Sequence, residues 1–275
     1  MTSPRKPKVA AIQLNSGPDV DRNLKRAEEL VREAASDGAV LCVLPENFAY
    51  LGPEDEKFAI AEPLPAGGPI LQRMVELARE TRCELVLGGY HEKTDQPRKL
   101  RNACIHLSEQ GKIQAIYRKI HLFDVDLADG TKLQESAAVE PGADIVVTDT
   151  RAGRLGLSVC YDLRFPELYR KLVDHGATLL TVPAAFTLTT GKDHWHVLLR
   201  ARAIEAQAYV IAAAQTGLHF GSRRSYGHAL ISDPWGTIVA ECGGDNVGYA
   251  LAAVDQAYVE DVRTRLPSLK HRRIG

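Results

Sequence analysis

The stretch LSVCYDLRFPELYR (157–170) brings an apolar run to Cys160, with charged residues and a proline following almost at once. A cysteine there is either a core residue at a strand end, the commoner fate of cysteine, or a nucleophile on an elbow between strand and helix. Pro166 and Glu167 make a good first helical turn, because proline fills a position whose amide has no partner and an acid suits the helix dipole. The positive end of a helix favours the thiolate, the reactive form. Glu46 follows Pro45 directly after the apolar run AVLCVL and is expected at the carboxyl end of a strand, where layered α/β folds commonly bind ligands; the alternative is a solvated loop carboxylate. In GKIQAIYRKIHLF, Ile113, Ala115, Tyr117 and Lys119 share one face of an extended strand. Lys119 then points with the apolar set and needs an acid or a developing negative charge, unless the strand ends near Tyr117 and both basic residues are in water. A carboxylate to move protons, an ammonium to meet an anion and a thiol to form a covalent intermediate make a complete set for acyl transfer.

The elements that must position these residues alternate in type. Periodicity predicts helices over 21–38, 70–82, 165–176 and 193–207. Strand-like runs cover 8–14, 39–45, 84–90, 102–110 and 111–119, then 144–149, 154–160, 178–186 and 209–216, and finally 227–234, 236–241 and 247–255. Helix-linked strands mixed with hairpin-linked strands predict two sheets packed on each other with helices outside. The longest irregular stretch, 123–142, has a length often associated with function. No short repeat, low-complexity tract or compositional break divides the chain, so one domain over 1–275 is expected.

Composition narrows the function classes. Hydrophobic residues make up 45% and charged residues 25% of the 275, and the formal net charge of -1 gives no reason to expect nucleic acid or an anionic membrane as a partner. No segment reads as a signal peptide or membrane span, so a cytoplasmic location is the default. Five cysteines, Cys42, Cys83, Cys104, Cys160 and Cys242, lie far apart without CxxC spacing, against a disulfide framework or a structural zinc site. The HWH at 194–196, with His219 and His228 downstream, invites a metal, but residues two apart on a helix do not face the same way and no metal site is expected. In the same helix Val197, Ala201, Ile204 and Ala208 have core spacing. The basic tail RTRLPSLKHRR is expected to pack along a subunit interface or near the site entrance.

LPENF (44–48), YRKIHLFD (117–124) and CYDLRFPELYR (160–170) resemble, in order, the three motifs of the nitrilase superfamily of carbon-nitrogen hydrolases, and the resemblance covers essentially the whole chain. It implies an α+β fold, a four-layer αββα sandwich that pairs into a homodimer, with no metal or organic cofactor. It also implies Cys160 as nucleophile, Glu46 as general base and later acid, Lys119 as the cation near the oxyanion, and Glu135, from QES (134–136), as a supporting carboxylate. Within the superfamily the chain looks like the Nit amidases, which cleave a terminal amide on a short dicarboxylate-like chain. GGYHE (88–92), RRSYGHALISDPWGT (223–237) and LPSLKHRR (266–273) look more like the members acting on deaminated glutathione than those acting on α-ketoglutaramate. A catalytically weak scaffold of the same fold is the reading from another class. Tyr161, by its backbone amide, and Arg164, Phe186, Thr187 and Thr190 are implied at the substrate. An arginine would hold a carboxylate with a bidentate pair, and the alternative for Arg164 is an ion pair with Glu167. Tyr90 is a further candidate for the substrate tail.

Overall fold

A computed structural model describes residues 6–126 and 132–274. The first half runs β1 (Lys8–Leu14), α1 (Val20–Ser36), β2 (Ala39–Leu44), α2 (Lys57–Ile60), α3 (Pro69–Thr81), β3 (Glu84–Lys93), β4 (Leu100–Leu107) and β5 (Ile113–Arg118). Two short strands, β6 (Asp124–Asp126) and β7 (Lys132–Gln134), pair antiparallel. Then come β8 (Val147–Thr150), β9 (Gly153–Gly156), α4 (Pro166–Asp174), β10 (Leu179–Thr181), α5 (Leu188–Ala206) and β11 (Tyr209–Ala212). The chain continues with β12 (Ala214–Phe220), β13 (Arg223–Tyr226), β14 (Leu230–Ser232), β15 (Ile238–Glu241), β16 (Gly248–Ala253) and α6 (Gln256–Arg265).

The strands form two large mixed sheets. One has the order β13-β12-β1-β2-β3-β4-β5, with β16 also paired to β1; the other has the order β15-β14-β11-β10-β9-β8. Alternation along β1 and β2 explains the layering. Val9, Ala11, Leu41 and Val43 point into the core shared with the second sheet, whereas Ala10, Ile12, Cys42 and Leu44 point to the core beneath α1 and α3. Both faces of these strands are therefore apolar, as a sheet covered on both sides requires. The buried Leu24, Ala27, Leu30, Val31 and Ala34 of α1 have helical spacing, Asp19 caps its start through Arg22 N at 3.0 Å, and Gly38 leaves the helix at φ +95°. On the other side α4 and α5 cover the second sheet, with Leu168, Leu172, Trp195, Leu199 and Ala203 buried, so the four layers are αββα.

Several expected elements differ in extent or facing. The run 178–186 stops as a strand at Thr181, since Pro183 has no amide to donate to a ladder, and 154–160 is a strand only to Gly156. The run 209–216 is two strands: β11 lies in the second sheet and β12 in the first, so the chain changes sheets at Ala213. Helix α5 begins five residues earlier than expected, at Leu188. Its supposed core face is wrong at two positions, because Val197 is 66% and Ile204 46% exposed while Trp195, Leu199 and Ala203 pack inward. The basic tail folds back on its own chain instead of reaching Cys160: Arg263 donates to the carbonyls of Gln207 and Ala177, and Arg272 pairs with Asp174.

Candidate active site

Cys160 begins a short 3-10 turn, Cys160–Arg164, between the end of the second sheet's apolar run and α4. Its φ is +50°, a conformation that disfavours an L side chain and that persists only where surrounding contacts enforce it. Here the enforcing contacts are visible. The Cys160 amide donates to Pro183 O at 2.9 Å. The fully buried Asp162 carboxylate accepts from Val159 N (2.8 Å), Tyr117 Oη (2.7 Å), His121 N (3.1 Å) and His121 Nδ1 (2.7 Å). Asp162 thus ties the cysteine turn to the segment that carries Lys119.

Strand β5 ends at Arg118, and the next residue, Lys119, is 2% exposed beside the buried Tyr117, so the parity argument predicts its direction correctly. Arg118 points the other way and forms a two-bond pair with Glu92 at 2.6 Å. Lys119 Nζ contacts Glu46 Oε1 at 2.9 Å and both Glu135 oxygens at 2.9 and 3.1 Å. Glu46, 4% exposed just past β2, also accepts from Asn102 Nδ2 (2.9 Å) and Ala185 N (3.0 Å) and lines the same cavity as Cys160. Glu135 accepts from Phe123 N at 2.7 Å and Asn102 Nδ2 at 3.2 Å, which fixes it over the lysine. The structure therefore brings Glu46, Lys119, Cys160 and Glu135 together.

The protonation states follow from these contacts. Burial pushes the Glu46 carboxyl up, but the Lys119 charge and the hydrogen bonds from Cys160, Lys119 and Asn102 outweigh it and hold Glu46 below the ordinary carboxylate value. Burial and the Glu46 charge raise the Cys160 thiol well above its usual value against the pull of Lys119. For Lys119, burial opposes the charge, yet Glu135 and Glu46 raise it well above the ordinary amine value. The resting site is a carboxylate, an ammonium and a neutral thiol, so the acid at 46 is in the form that accepts the thiol's proton.

Among the implied substrate residues, Tyr161, Arg164, Phe186, Thr187 and Thr190 all line a narrow slot that Cys160 borders. Arg164 does not pair with Glu167; its guanidinium lies 5.2 Å from the Phe186 ring and 5.8 Å from the Tyr161 ring and meets His194 Nδ1 at 3.2 Å. Phe186 serves core and slot at once, packing on Trp195 at a centroid distance of 5.0 Å. Thr187 and Thr190 hydroxyls are 2.8 Å apart. Tyr90 is a structural residue instead, buried with its hydroxyl on the Glu62 carboxylate. The histidines of HWH do not act as a pair: His196 joins His228, both on the Glu241 carboxylate, with the three potential ligand atoms within 4.8 Å of one another, and none of them lines the space around Cys160.

Three features escaped the sequence reading. Asn102 is a polar side chain that opens the apolar run of β4, which was a legible signal; it bridges the two glutamates. Asp162 sits two residues past the cysteine and looks like an ordinary turn acid until its four donors are seen. Gly88 and Gly89 interrupt β3, and glycine in a strand marks a bulge or a close approach. Gly89 has φ +63°, and the β3–β4 register shifts between Leu87 and Tyr90. A Cβ at 89 would stand 2.3 Å from Asn47 N, 2.7 Å from Glu46 Cγ and 2.8 Å from Glu46 Cα.

The chain is also similar to known proteins over nearly its whole length. The family model described as carbon-nitrogen hydrolase matches residues 8–264. A Homo sapiens protein named deaminated glutathione amidase is 46% identical over 272 residues, covering 97% of this chain and 82% of that protein. The crystal structure of the C. elegans NitFhit protein superposes with a TM-score of 0.91 at 39% identity over 98% of this chain, which spans 65% of that one. Saccharomyces cerevisiae Nit3, described as a member of branch 10 of the nitrilase superfamily, gives a TM-score of 0.85 at 33% identity over 98% of this chain and 97% of the other. On the extent of these matches and the fold they share, the chain belongs to the carbon-nitrogen hydrolase family of the nitrilase superfamily and is a hydrolase of carbon–nitrogen bonds.

Proposed function

We propose that this single-domain enzyme hydrolyses the amide of deaminated glutathione, giving 2-oxoglutarate and Cys-Gly, with Cys160, Glu46 and Lys119 as its catalytic residues. The observation that carries the chemistry is the buried cluster in which the Glu46 carboxylate meets Lys119 Nζ at 2.9 Å and lines one cavity with it and with Cys160. The substrate comes from the 46% identity to the human amidase of that name.

The chemistry runs in two halves. Glu46 takes the Cys160 proton as Sγ bonds to the amide carbon, and the carbonyl electrons move to oxygen, where the Lys119 ammonium and the Tyr161 amide receive them. Collapse of this intermediate breaks the carbon–nitrogen bond while Glu46 hands its proton to the leaving nitrogen, because an unprotonated amine leaves poorly. A thioester remains. Glu46 then removes a proton from water as its oxygen attacks, and collapse returns the electrons to sulfur, which regains the proton from Glu46. Glu135 keeps Lys119 in place throughout. Arg164, with Thr187 and Thr190, receives the oxo-acid carboxylate of the acyl part in the slot. No step calls for a metal or an organic cofactor. The quaternary state is a homodimer in this reading, and the partner is a small molecule.

The test is steady-state hydrolysis of deaminated glutathione and α-ketoglutaramate side by side, with Cys160→Ala as control. Preference for deaminated glutathione that disappears in the variant is the expected result. Preference for α-ketoglutaramate would move the enzyme to ω-amidase, and hydrolysis of neither would remove the substrate assignment.

A further inference from the structure

Cys160 borders two spaces. One is the narrow slot at Arg164; the other is a cavity of about 220 Å³ lined on its catalytic side by Glu46, Asn102, Lys119 and Glu135 and elsewhere by Tyr50, Leu51, Lys57, His91 and Arg223. Glu46 lines the cavity and not the slot. The group that protonates the departing nitrogen must lie within hydrogen-bond reach of it. The departing amine is therefore on the cavity side and the acyl chain on the slot side, given the mechanism above.

The cavity is larger than ammonia needs, and it has a cation without a partner. The Nε of Arg223 is buried and has no hydrogen-bond partner, and among the described residues no ion pair to its guanidinium is present. Buried donors are normally satisfied, and a guanidinium presents a fork matched to a carboxylate. Position supports the same assignment. Strand β13 begins at Arg223 and is tied to the segment beside Cys160 through Tyr226 N to Phe186 O at 3.0 Å and a bridge between Thr187 and Ser225. The second cation of the wall, Lys57, is buried and already paired with Glu54, whose side chain is 66% exposed. His91, which lines the same cavity, adds no charge, since burial and the Lys57 ammonium push it down to about 3.

We propose that Arg223 is the specificity residue of the leaving-group compartment, holding the terminal carboxylate of a departing peptide amine in a two-bond pair. Lys57 is neutralised by Glu54, which lines the same cavity, and so leaves the role to Arg223. This rests on the deaminated glutathione reading and deepens it. The acyl carboxylate and the leaving-group carboxylate are bound by different arginines, Arg164 and Arg223, in the two spaces that Cys160 borders. A substrate that releases ammonia has nothing to give Arg223, so this residue separates the two substrate classes of the fold.

The test compares deaminated glutathione with the same compound carrying a carboxamide in place of the glycine carboxylate, on the wild type and on Arg223→Gln and Arg223→Lys. In the wild type the acid is expected to be the better substrate by kcat/KM. In Arg223→Gln that preference should fall by about 10- to 100-fold, the range of a charge-assisted pair, mostly through KM. Arg223→Lys should restore part of it. Thermal melting of each variant separates a folding defect from a binding one. A wild type with no preference for the acid, or an Arg223→Gln variant that keeps it in full, overturns the clamp while leaving the amidase reading intact. A wild type that hydrolyses α-ketoglutaramate but neither peptide amide overturns the substrate reading itself, and the clamp with it.

Discussion

Replacing Gly89 by alanine isolates the contribution of Glu46 placement to catalysis without touching a reacting group. Two costs are separable. At φ +63° the backbone is in the left-handed region, where a Cβ costs about 1–2 kcal/mol. For a domain of this size that corresponds to a fall in Tm of about 2–8 °C. The second cost is displacement: the new methyl would stand 2.3 Å from Asn47 N, 2.7 Å from Glu46 Cγ and 2.8 Å from Glu46 Cα, where ordinary contact begins at 3.4 Å, so the backbone at 46–47 must retreat and carry the glutamate with it. At the tightest contact the retreat is about 1 Å, and a misplacement of about 1 Å costs on the order of 100-fold, so kcat/KM should fall by about 100-fold. Gly221→Ala supplies the control, because Gly221 has φ +52° but a Cβ there meets no atom within 4 Å. The assay is kcat/KM on deaminated glutathione with Tm for both variants. A Tm loss in Gly221→Ala from the backbone conformation alone, a larger one in Gly89→Ala from the added overlap, and activity lost only in Gly89→Ala are expected. A Gly89→Ala enzyme within about twofold of Gly221→Ala in kcat/KM would refute the positional argument, since a 1 Å error is held to matter far more than that.

Asp162→Asn keeps the shape of the side chain but cannot accept from all four of its donors, so unfolding should cost about 2–3 kcal/mol less, read as a lower urea midpoint at unchanged slope. Asn102→Ala removes a hydrogen bond that lowers Glu46, so the acid limb of kcat/KM should move upward from its place below pH 4.5; an unmoved limb would mean that Asn102 does not tune this carboxylate. The same depressed carboxyl stabilises the fold above its unfolded value of 4.5, and that contribution is lost as pH falls through the lower folded value, so acid unfolding of Asn102→Ala should begin at higher pH. Because the Cys160 thiol is raised well above 9.0, its alkylation should climb with pH beyond that value while kcat/KM is already level near neutrality; an alkylation plateau near pH 7 would instead indicate a resting thiolate.

How much of this was legible in the sequence depended on whether a contact is local. Side-chain parity was enough to turn Lys119 inward, and the proline-led helix start was enough to put Cys160 on an elbow. The partners of those residues were not legible by rule, since Asn102 and Ala185 reach Glu46 from distant parts of the chain. Resemblance supplied the grouping that periodicity could not. Facing errors on α5 have a related cause: Trp195 and Leu199 occupy the inward face, and the aliphatic Val197 and Ile204 that mimic a core stripe lie outside it. The strand run 209–216 gave no sign of its division because both halves are buried and extended, and a continuous run cannot reveal that it serves two sheets.

The pairing of β1 with β16 bears on how the protein is made. Strand β1 is apolar on both faces, and residues 8–13 find their antiparallel neighbour only in 248–253. The two segments lie roughly 245 residues apart, so at about 5–20 residues per second the nascent chain carries an open, aggregation-prone ladder of amides and carbonyls for roughly 12–50 s. Any shortened form ending before β16 keeps that edge for good. The near-final strand to be synthesised is thus the one that makes the first strand safe in water.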